Sequence, residues 1–212
     1  MMAHEVNNSI GATNSLLHQL HDAVKTREPD AHELLAANLP VVIGRGERMN
    51  GFMQNFARVI RLPQPVFVSV DLNELVGGAA RLFRARCEQA GVDLNVELSA
   101  APIRVRADAG QLEQVLINAL TNALESLDGG ERGQITLSVT PAGFGVADNG
   151  PGIPPESAEL IFTPFFSTRP QGQGIGLTIC RDILERHAAR YSLRTDPDGW
   201  TRLRVEFKPL SA

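Results

Sequence analysis

The first sixty residues of the chain have the apolar spacing of two consecutive helices. Apolar or small side chains recur at alternating steps of four and three residues, the spacing of a coiled coil, at Val6, Ile10, Thr13, Leu17, Leu20 and Val24. The alternation resumes after the turn at residues 27–30 and runs from Leu35 to Ile60. We predict a helical hairpin over residues 1–62. Because a lone hairpin leaves apolar positions uncovered, we expect two chains to form a four-helix bundle, so that the protein is a homodimer.

The two predicted helices differ in length. Folding the hairpin about residue 29 places His4 opposite Gln54 and leaves residues 55–61 without a partner. At ~1.5 Å per residue, this is roughly 10 Å of unmatched helix. We therefore expect the natural protein to continue N-terminally with a sensor or membrane segment.

Beyond Pro63 and Pro65, which disfavour helix, the pattern alternates between strands and helices. Strands are predicted at residues 66–70, 92–98, 103–105, 134–140, 144–147, 191–195 and 201–207. Helices are predicted after the N-caps Asp71 and Asp108, ending near Ala90 and Leu127, and again before His187. Helices on one face of a largely antiparallel sheet form an α/β sandwich. The predicted fold class is therefore α+β, with the hairpin followed by an α/β sandwich at residues 66–210.

Composition and charge narrow the possible functions. With 20 basic and 24 acidic side chains, the net charge is −4, which gives no reason to expect nucleic acid as a partner. No stretch approaches the ~18 apolar residues of a membrane span. The N-terminus lacks the basic and apolar regions of a signal peptide, and Cys87 and Cys180 are too few for a disulfide framework. We expect this chain in the cytoplasm, and the whole protein either there or anchored to the inner membrane.

Two asparagines one helical turn apart carry the first candidate chemistry. Their predicted helix puts its apolar residues on one face and places Asn118 and Asn122 together on another. Two carboxamide oxygens can hold Mg²⁺ beside phosphate oxygens, whereas the simpler interpretation is two solvated asparagines.

Further along, Asp148 ends a predicted strand just before Gly150 and Gly152. Its carboxylate can accept a hydrogen bond from the amine of a flat ring that the glycines allow to approach, although an ordinary turn is an equal alternative.

A long segment rich in glycine and proline begins at this turn. It runs over about 25 residues from Asn149 to Gly174, which is long for a loop without a function and favours a substrate lid. The glycines at its end stand before a helix and expose backbone N–H groups that suit phosphate. They do not follow a strand of a βαβ unit, which argues against a Rossmann site. Arg169 either reaches a terminal phosphate or is a solvated loop charge.

The order and spacing of these motifs resemble the ATP-binding domain of sensor histidine kinases, which has the GHKL ATPase fold. The resemblance covers residues 66–208 and rests on the paired asparagines, the Asp-Asn-Gly-Pro-Gly turn at 148–152, and Phe-Phe-Ser-Thr-Arg at 165–169 with the glycines that follow. The hairpin resembles that family's dimerisation and phosphoacceptor domain, because residues 4–8 fit its H-E-x-x-N box. The residues of these motifs are similar to those of the family's nitrogen-regulation branch.

This resemblance implies an ATP-dependent protein-histidine kinase of a two-component system, with ATP and Mg²⁺ as cofactors and a response-regulator receiver domain as partner. It implies that His4 accepts the phosphoryl group, that Glu5 orients the His4 ring, and that Asn8 places water. It assigns Mg²⁺ to Asn118 and Asn122. The other nucleotide-binding residues that it implies are Asp148, Gly150, Gly152, Phe162, Phe165, Phe166, Thr168, Arg169, Gly172, Gly174, Gly176 and Leu177.

The chain departs from the family pattern at one turn, where Ala188 and Ala189 follow His187 and many members have two glycines. Proteins of the same fold that hydrolyse ATP as a switch have Glu four residues before the magnesium Asn, and this chain has Asn118 there. That difference argues against hydrolysis as the main activity. The alternatives are a GHKL-fold ATPase switch, a serine kinase of the anti-sigma type, and a non-catalytic scaffold that binds nucleotide or only dimerises.

Overall fold

A computed structural model describes residues 2–26, 31–60, 62–127, 132–169 and 174–208 of the chain. Within the helices, the side chains of residues 2–10, 12, 31 and 48–60 lie outside this description. The chain divides into two compact units, residues 1–60 and residues 61–212.

The N-terminal unit consists of two helices, α1 at Met2–Lys25 and α2 at Ala31–Ile60. These are the two helices that the apolar spacing predicts. Leu20 and Ala23 of α1 are buried, whereas Leu17 and Val24 are exposed. The helices of the described ranges include none that is long and apolar enough to cross a membrane.

The C-terminal unit alternates between strands and helices. The strands are β1 (Val68–Asp71), β2 (Asp93–Glu97), β3 (Arg104–Ala107), β4 (Gln134–Thr140), β5 (Gly143–Asp148), β6 (Arg190–Thr195) and β7 (Thr201–Glu206). The helices are α3 (Leu72–Gln89), α4 (Ala109–Ser126) and α5 (Gly176–Arg186). A single 3₁₀ turn is described at Pro155–Ser157. Each strand and helix predicted for this part is present, and its ends lie close to the predicted ones.

Five strands form one sheet in the order β2-β4-β5-β7-β6, and β1 pairs with β3 in a separate antiparallel ribbon. Neighbours in the sheet are antiparallel, except that β2 runs parallel to β4. One face of the sheet is buried, and its apolar side chains include Ile135, Leu137, Phe144, Leu203 and Val205. Each fully buried side chain of this size contributes about 1.5–3 kcal/mol, so this core accounts for much of the stability of the unit. The helices and the mixed sheet confirm the predicted α+β fold class.

The helices α3 and α4 begin at the predicted caps. Asp71 Oδ1 accepts a hydrogen bond from the Asn73 N–H at 2.9 Å, and Asp108 Oδ1 accepts one from the Gln111 N–H at 3.0 Å. The other carboxylate oxygen of Asp108 accepts from the Val66 N–H at 2.8 Å. Hydrogen bonds to the charged form, first of all the one from Val66, hold the pKa of the Asp108 carboxyl below its usual range.

The proline-containing segment at residues 62–67 is hydrogen-bonded to helices α4 and α5 of the C-terminal unit, to which it belongs. Arg186 Nη1 donates to the carbonyl oxygens of Leu62 and Pro63 at 2.9 and 3.2 Å. Gln111 Nε2 donates to the Pro63 carbonyl at 2.9 Å. The segment that the sequence predicts as a short linker is therefore fixed near the start of α4 and the end of α5.

Candidate nucleotide-binding site

Helix α4 carries both predicted magnesium ligands. Asn118 and Asn122 are half-buried, whereas the apolar face of the same helix is buried in the core. Two hydrogen bonds orient the Asn118 carboxamide: Oδ1 accepts from Gln114 Nε2 at 2.9 Å, and Nδ2 donates to the Gly176 carbonyl at 3.1 Å. The second bond joins α4 to the first residue of α5, where the predicted phosphate-binding glycines end.

Asp148 ends strand β5 beside the last turn of α4. Its side chain is buried, and Oδ1 accepts a hydrogen bond from the Gly150 N–H at 3.0 Å. The same oxygen, at 3.1 Å, shares the proton of the Ser126 hydroxyl with the Ala123 carbonyl, which lies 2.7 Å from Ser126 Oγ. Ser126 lies one helical turn beyond Asn122 on α4. The two bonds therefore connect the end of the strand, the following turn and the helix of the asparagines, and they fix the orientation of the carboxylate.

The electrostatic environment of Asp148 opposes its ionisation. Burial raises the pKa of the Asp148 carboxyl, because removal from water disfavours the charged form. The hydrogen bonds from Gly150 and Ser126 and the positive charge of Arg169 act in the opposite direction without cancelling the effect of burial. A buried carboxylate of this kind gains from a donor such as an exocyclic amine.

The turn after Asp148 has no room for side chains at two positions. A Cβ atom at Gly150 would lie 2.7 Å from Ser126 Oγ and 2.8 Å from Asp148 Oδ1. Gly152 has a φ of +86°, and a Cβ there would lie 3.0 Å from Thr195 Oγ1. The same hydroxyl accepts a hydrogen bond from the Ile153 N–H at 2.8 Å. The turn thus packs its backbone directly against Ser126, Asp148 and Thr195, which accounts for glycine at both positions.

Aromatic and glycine residues hold the C-terminal half of the predicted lid in place. The Phe162 ring packs edge-on against Tyr191, with centroids 5.3 Å apart, and the Phe162 carbonyl accepts from Arg181 Nη1 at 3.1 Å. The Phe165 N–H donates to the Gly174 carbonyl at 2.9 Å, which joins the middle of the lid to its C-terminal end. Gly174 has a φ of +63°, and a Cβ there would lie 2.4 Å from the Phe165 carbonyl carbon. Only glycine fits this position.

The side chain of Arg169 in the lid contacts the last turns of α4. Nη1 forms an ion pair with the Glu125 carboxylate, and Nη2 donates to the backbone carbonyl of Asn122 at 2.9 Å. Thr168 beside it is exposed, and Leu177 is half-buried in the first turn of α5. The predicted phosphate-binding cation therefore lies next to a predicted magnesium ligand.

Four predicted site residues lie outside what the structure describes. They are Gly172 as a whole and the side chains of His4, Glu5 and Asn8, whose backbone lies in α1. The remaining predicted residues, from Asn118 to Leu177, belong to α4, the end of β5, the lid and the start of α5. The hydrogen bonds described above connect these four elements.

Sequence reasoning missed three residues that support the site. Ser126 follows Asn122 by one helical turn, so the helical repeat predicts that it lies on the same face of α4 as the asparagines. Glu125 lies on the same turn, but its pairing with a loop residue 44 positions away leaves no local signal. Thr195 reaches the turn after Asp148 only because β6 lies next to β7 in the sheet, which no local pattern reveals.

The donor set fits a magnesium nucleotide. The described ranges contain no group of three or more His, Cys, Asp or Glu residues that could hold a metal ion. Mg²⁺ is commonly bound through few protein oxygens together with substrate phosphates and water, and two carboxamides on one helix face suit that mode. The buried Asp148 carboxylate beside the bare turn suits the amino edge of adenine.

The class that this fold and site define is the GHKL-type ATPase domain, in which three helices and a mixed sheet carry a nucleotide site. Residues 107–211 match the family described as "Histidine kinase-, DNA gyrase B-, and HSP90-like ATPase". The catalytic domain of the histidine kinase ThkA is 33% identical in sequence, with a TM-score of 0.60 over 67% of this chain and 95% of that domain.

Comparison with longer proteins extends the similarity to the N-terminal helices. The sensor histidine kinase ZraS of Klebsiella oxytoca is 29% identical over 201 residues, which is 92% of this chain and 42% of that relative. A structure of ThkA in complex with the response regulator protein TrrA has a TM-score of 0.67, at 25% identity, over 98% of this chain and 60% of that one. This chain belongs to the sensor histidine kinases and forms a catalytic core of that family. It spans less than half the length of the curated ZraS relative.

Proposed function

We propose that the protein is a kinase that transfers the γ-phosphoryl group of ATP to its own His4. A nitrogen of the neutral imidazole attacks the γ-phosphorus, the bond from phosphorus to the bridging oxygen breaks, and ADP leaves. Glu5 accepts the proton from the other ring nitrogen. The phosphoryl group then passes to an aspartate of a response-regulator receiver domain. The observation that carries this proposal is the buried Asp148 carboxylate, hydrogen-bonded to Gly150 and to Ser126, which lies one helical turn beyond Asn122 on α4.

In this proposal, each described residue contributes positioning or charge neutralisation, which are the main contributions of proteins to phosphoryl transfer. Asp148 accepts a hydrogen bond from the adenine amine. Asn118 and Asn122 hold Mg²⁺, which neutralises charge on the phosphates when it is bound. Arg169 neutralises the terminal phosphate. The phenylalanines and glycines of the lid close the site against water.

The proposed partners follow from the same family membership. A response regulator is a proposed partner because the related kinase ThkA has been crystallised with one. A second copy of this chain is proposed as the dimer partner, because Leu17, Val24 and Leu39 are large apolar side chains that α1 and α2 leave exposed. Their burial in a four-helix bundle would remove this apolar surface from water.

Incubation with γ-labelled ATP and Mg²⁺ tests the transfer to His4. We expect label that is acid-labile and alkali-stable in the unmodified protein and in His18→Ala, which removes an exposed histidine of the same helix. We expect no label in His4→Ala. Acid-stable label would instead indicate a serine kinase, and label that persists in His4→Ala would exclude His4 as the acceptor.

A further inference from the structure

The ion pair between Arg169 and Glu125 has no part in the proposed chemistry. Glu125 lies on α4 between Asn122 and Ser126, and its side chain is 55% exposed, against 35% for Arg169. The arginine therefore has a carboxylate partner on α4 as well as the Asn122 carbonyl. Any phosphate that is to use this guanidinium must compete with Glu125.

We propose that Glu125 determines how strongly the site prefers ATP to ADP, by holding Arg169 on α4 until a terminal phosphate displaces it. The inference rests on the proposed function, in which Arg169 faces the γ-phosphate. A γ-phosphate can displace a carboxylate because it offers more negative charge and three acceptor oxygens to the guanidinium. ADP has no group at that position, so its binding leaves the ion pair intact. The pair thus weakens the binding of ATP and leaves that of ADP unchanged.

The expected size of this effect follows from the exposure of the pair. Ion pairs between exposed side chains are weak, and the loss of such a pair corresponds to roughly a two- to fivefold change in an equilibrium constant. A pair of this strength keeps the cation near the site and can still be displaced by phosphate. A deeply buried pair in the same place would block the response to nucleotide.

Titration calorimetry with two nucleotides tests the inference. The ligands are ADP and the β,γ-imido analogue of ATP, each with Mg²⁺, and the variants are Glu125→Gln, Arg169→Met and the double variant. Glu113→Gln is the matched control, because Glu113 is also exposed on α4 and forms none of the described ion pairs. We expect Glu125→Gln to bind the ATP analogue about two- to fivefold more tightly and ADP with unchanged affinity.

The double variant separates a specific effect from a general change of charge. If the gain requires Arg169, Glu125→Gln will have no effect in the Arg169→Met background. An equal gain for both nucleotides, a gain that persists without Arg169, or no gain at all would each overturn the inference. If the unmodified protein binds neither nucleotide, the proposed function fails, and this inference fails with it. If it binds both and the ratio of affinities does not respond to Glu125→Gln, only this inference fails.

Discussion

The backbone N–H of Asp108 donates a hydrogen bond to Nε2 of His187 at 3.0 Å. The other ring nitrogen, Nδ1, lies 2.8 Å from the Ile183 carbonyl, which can only accept, so Nδ1 donates in this hydrogen bond. His187 is buried, and its ring packs against Phe67 with centroids 5.1 Å apart. The imidazole therefore joins the N-cap of α4 to the end of α5, and α4 is the helix of the proposed magnesium ligands.

Replacement of His187 by Phe should destabilise the C-terminal unit by about 0.5–1.5 kcal/mol, because the half-buried Asp108 N–H would lose its acceptor. Replacement by Gln should restore part of the loss, since its amide oxygen can accept from the same N–H. Denaturant unfolding of both variants measures the difference. Equal stability of the Phe and Gln variants would show that His187 stabilises the unit through packing and not through the hydrogen bond.

Ala188 adopts a backbone conformation that favours glycine. Its φ is +49°, and it stands at the turn where many family members have Gly-Gly. Ala188→Gly should therefore raise the unfolding free energy by about 0.5–1 kcal/mol, because the left-handed conformation is strained for residues with a Cβ. Ala189→Gly is the control: Ala189 is not among the residues with positive φ, so glycine there should lower stability. The prediction fails if both substitutions destabilise the protein.

The raised pKa of Asp148 predicts how stability depends on pH. Because the folded protein binds this proton more tightly than the unfolded chain, the contribution of Asp148 to stability falls as pH rises from the unfolded value of about 3.9 through the raised pKa. Asp148→Asn removes the charge and should be at least as stable as the unmodified protein at neutral pH. The unfolding free energy of both proteins, measured from acid to neutral pH, tests this. A less stable variant at neutral pH would show that the ionised carboxylate is favourable in the fold.

Gly174 should be required for nucleotide binding because it closes the lid. Gly174→Ala places a Cβ against the backbone of Phe165 and Phe166 in addition to the strain of positive φ. Gly199→Ala is a matched control, since Gly199 also has positive φ (+85°) but nothing within 4 Å of a Cβ. Both should lose about 1–2 kcal/mol of stability through φ alone. Only Gly174→Ala should also bind ATP more weakly in calorimetry, and equal affinities for the two variants would count against a role for the lid.

The features that the sequence predicted well are local. The caps at Asp71 and Asp108 and the alternation along β4 depend on residues close together in the chain, and the structure has these elements close to the predicted positions. The features that it did not predict depend on distant contacts. The Arg186 side chain donates a hydrogen bond to the Leu62 carbonyl, 124 positions earlier in the chain. Nothing in the proline-containing segment itself therefore reveals that the segment is fixed to α5.

The candidate site shows the same division. The sequence predicted that Asn118 and Asn122 share a helix face, because one helical turn separates them. The sequence predicted that Arg169 either contacts a terminal phosphate or is solvated, whereas in the structure it forms an ion pair with Glu125 of α4. The roles of His4, Glu5 and Asn8 stay predictions, since their side chains lie outside the described residues.

Titration calorimetry of ATP against the unmodified protein and Asp148→Asn tests the central claim most directly, because a nucleotide must bind at Asp148 for any of the proposed chemistry. Asp93→Asn is the control, since it removes an exposed carboxylate of β2. We expect ATP to bind the unmodified protein and Asp93→Asn equally. We expect roughly ten- to hundredfold weaker binding to Asp148→Asn, the effect of losing a hydrogen bond to a charged group. Absence of ATP binding to the unmodified protein, or equal binding to Asp148→Asn, would contradict the account.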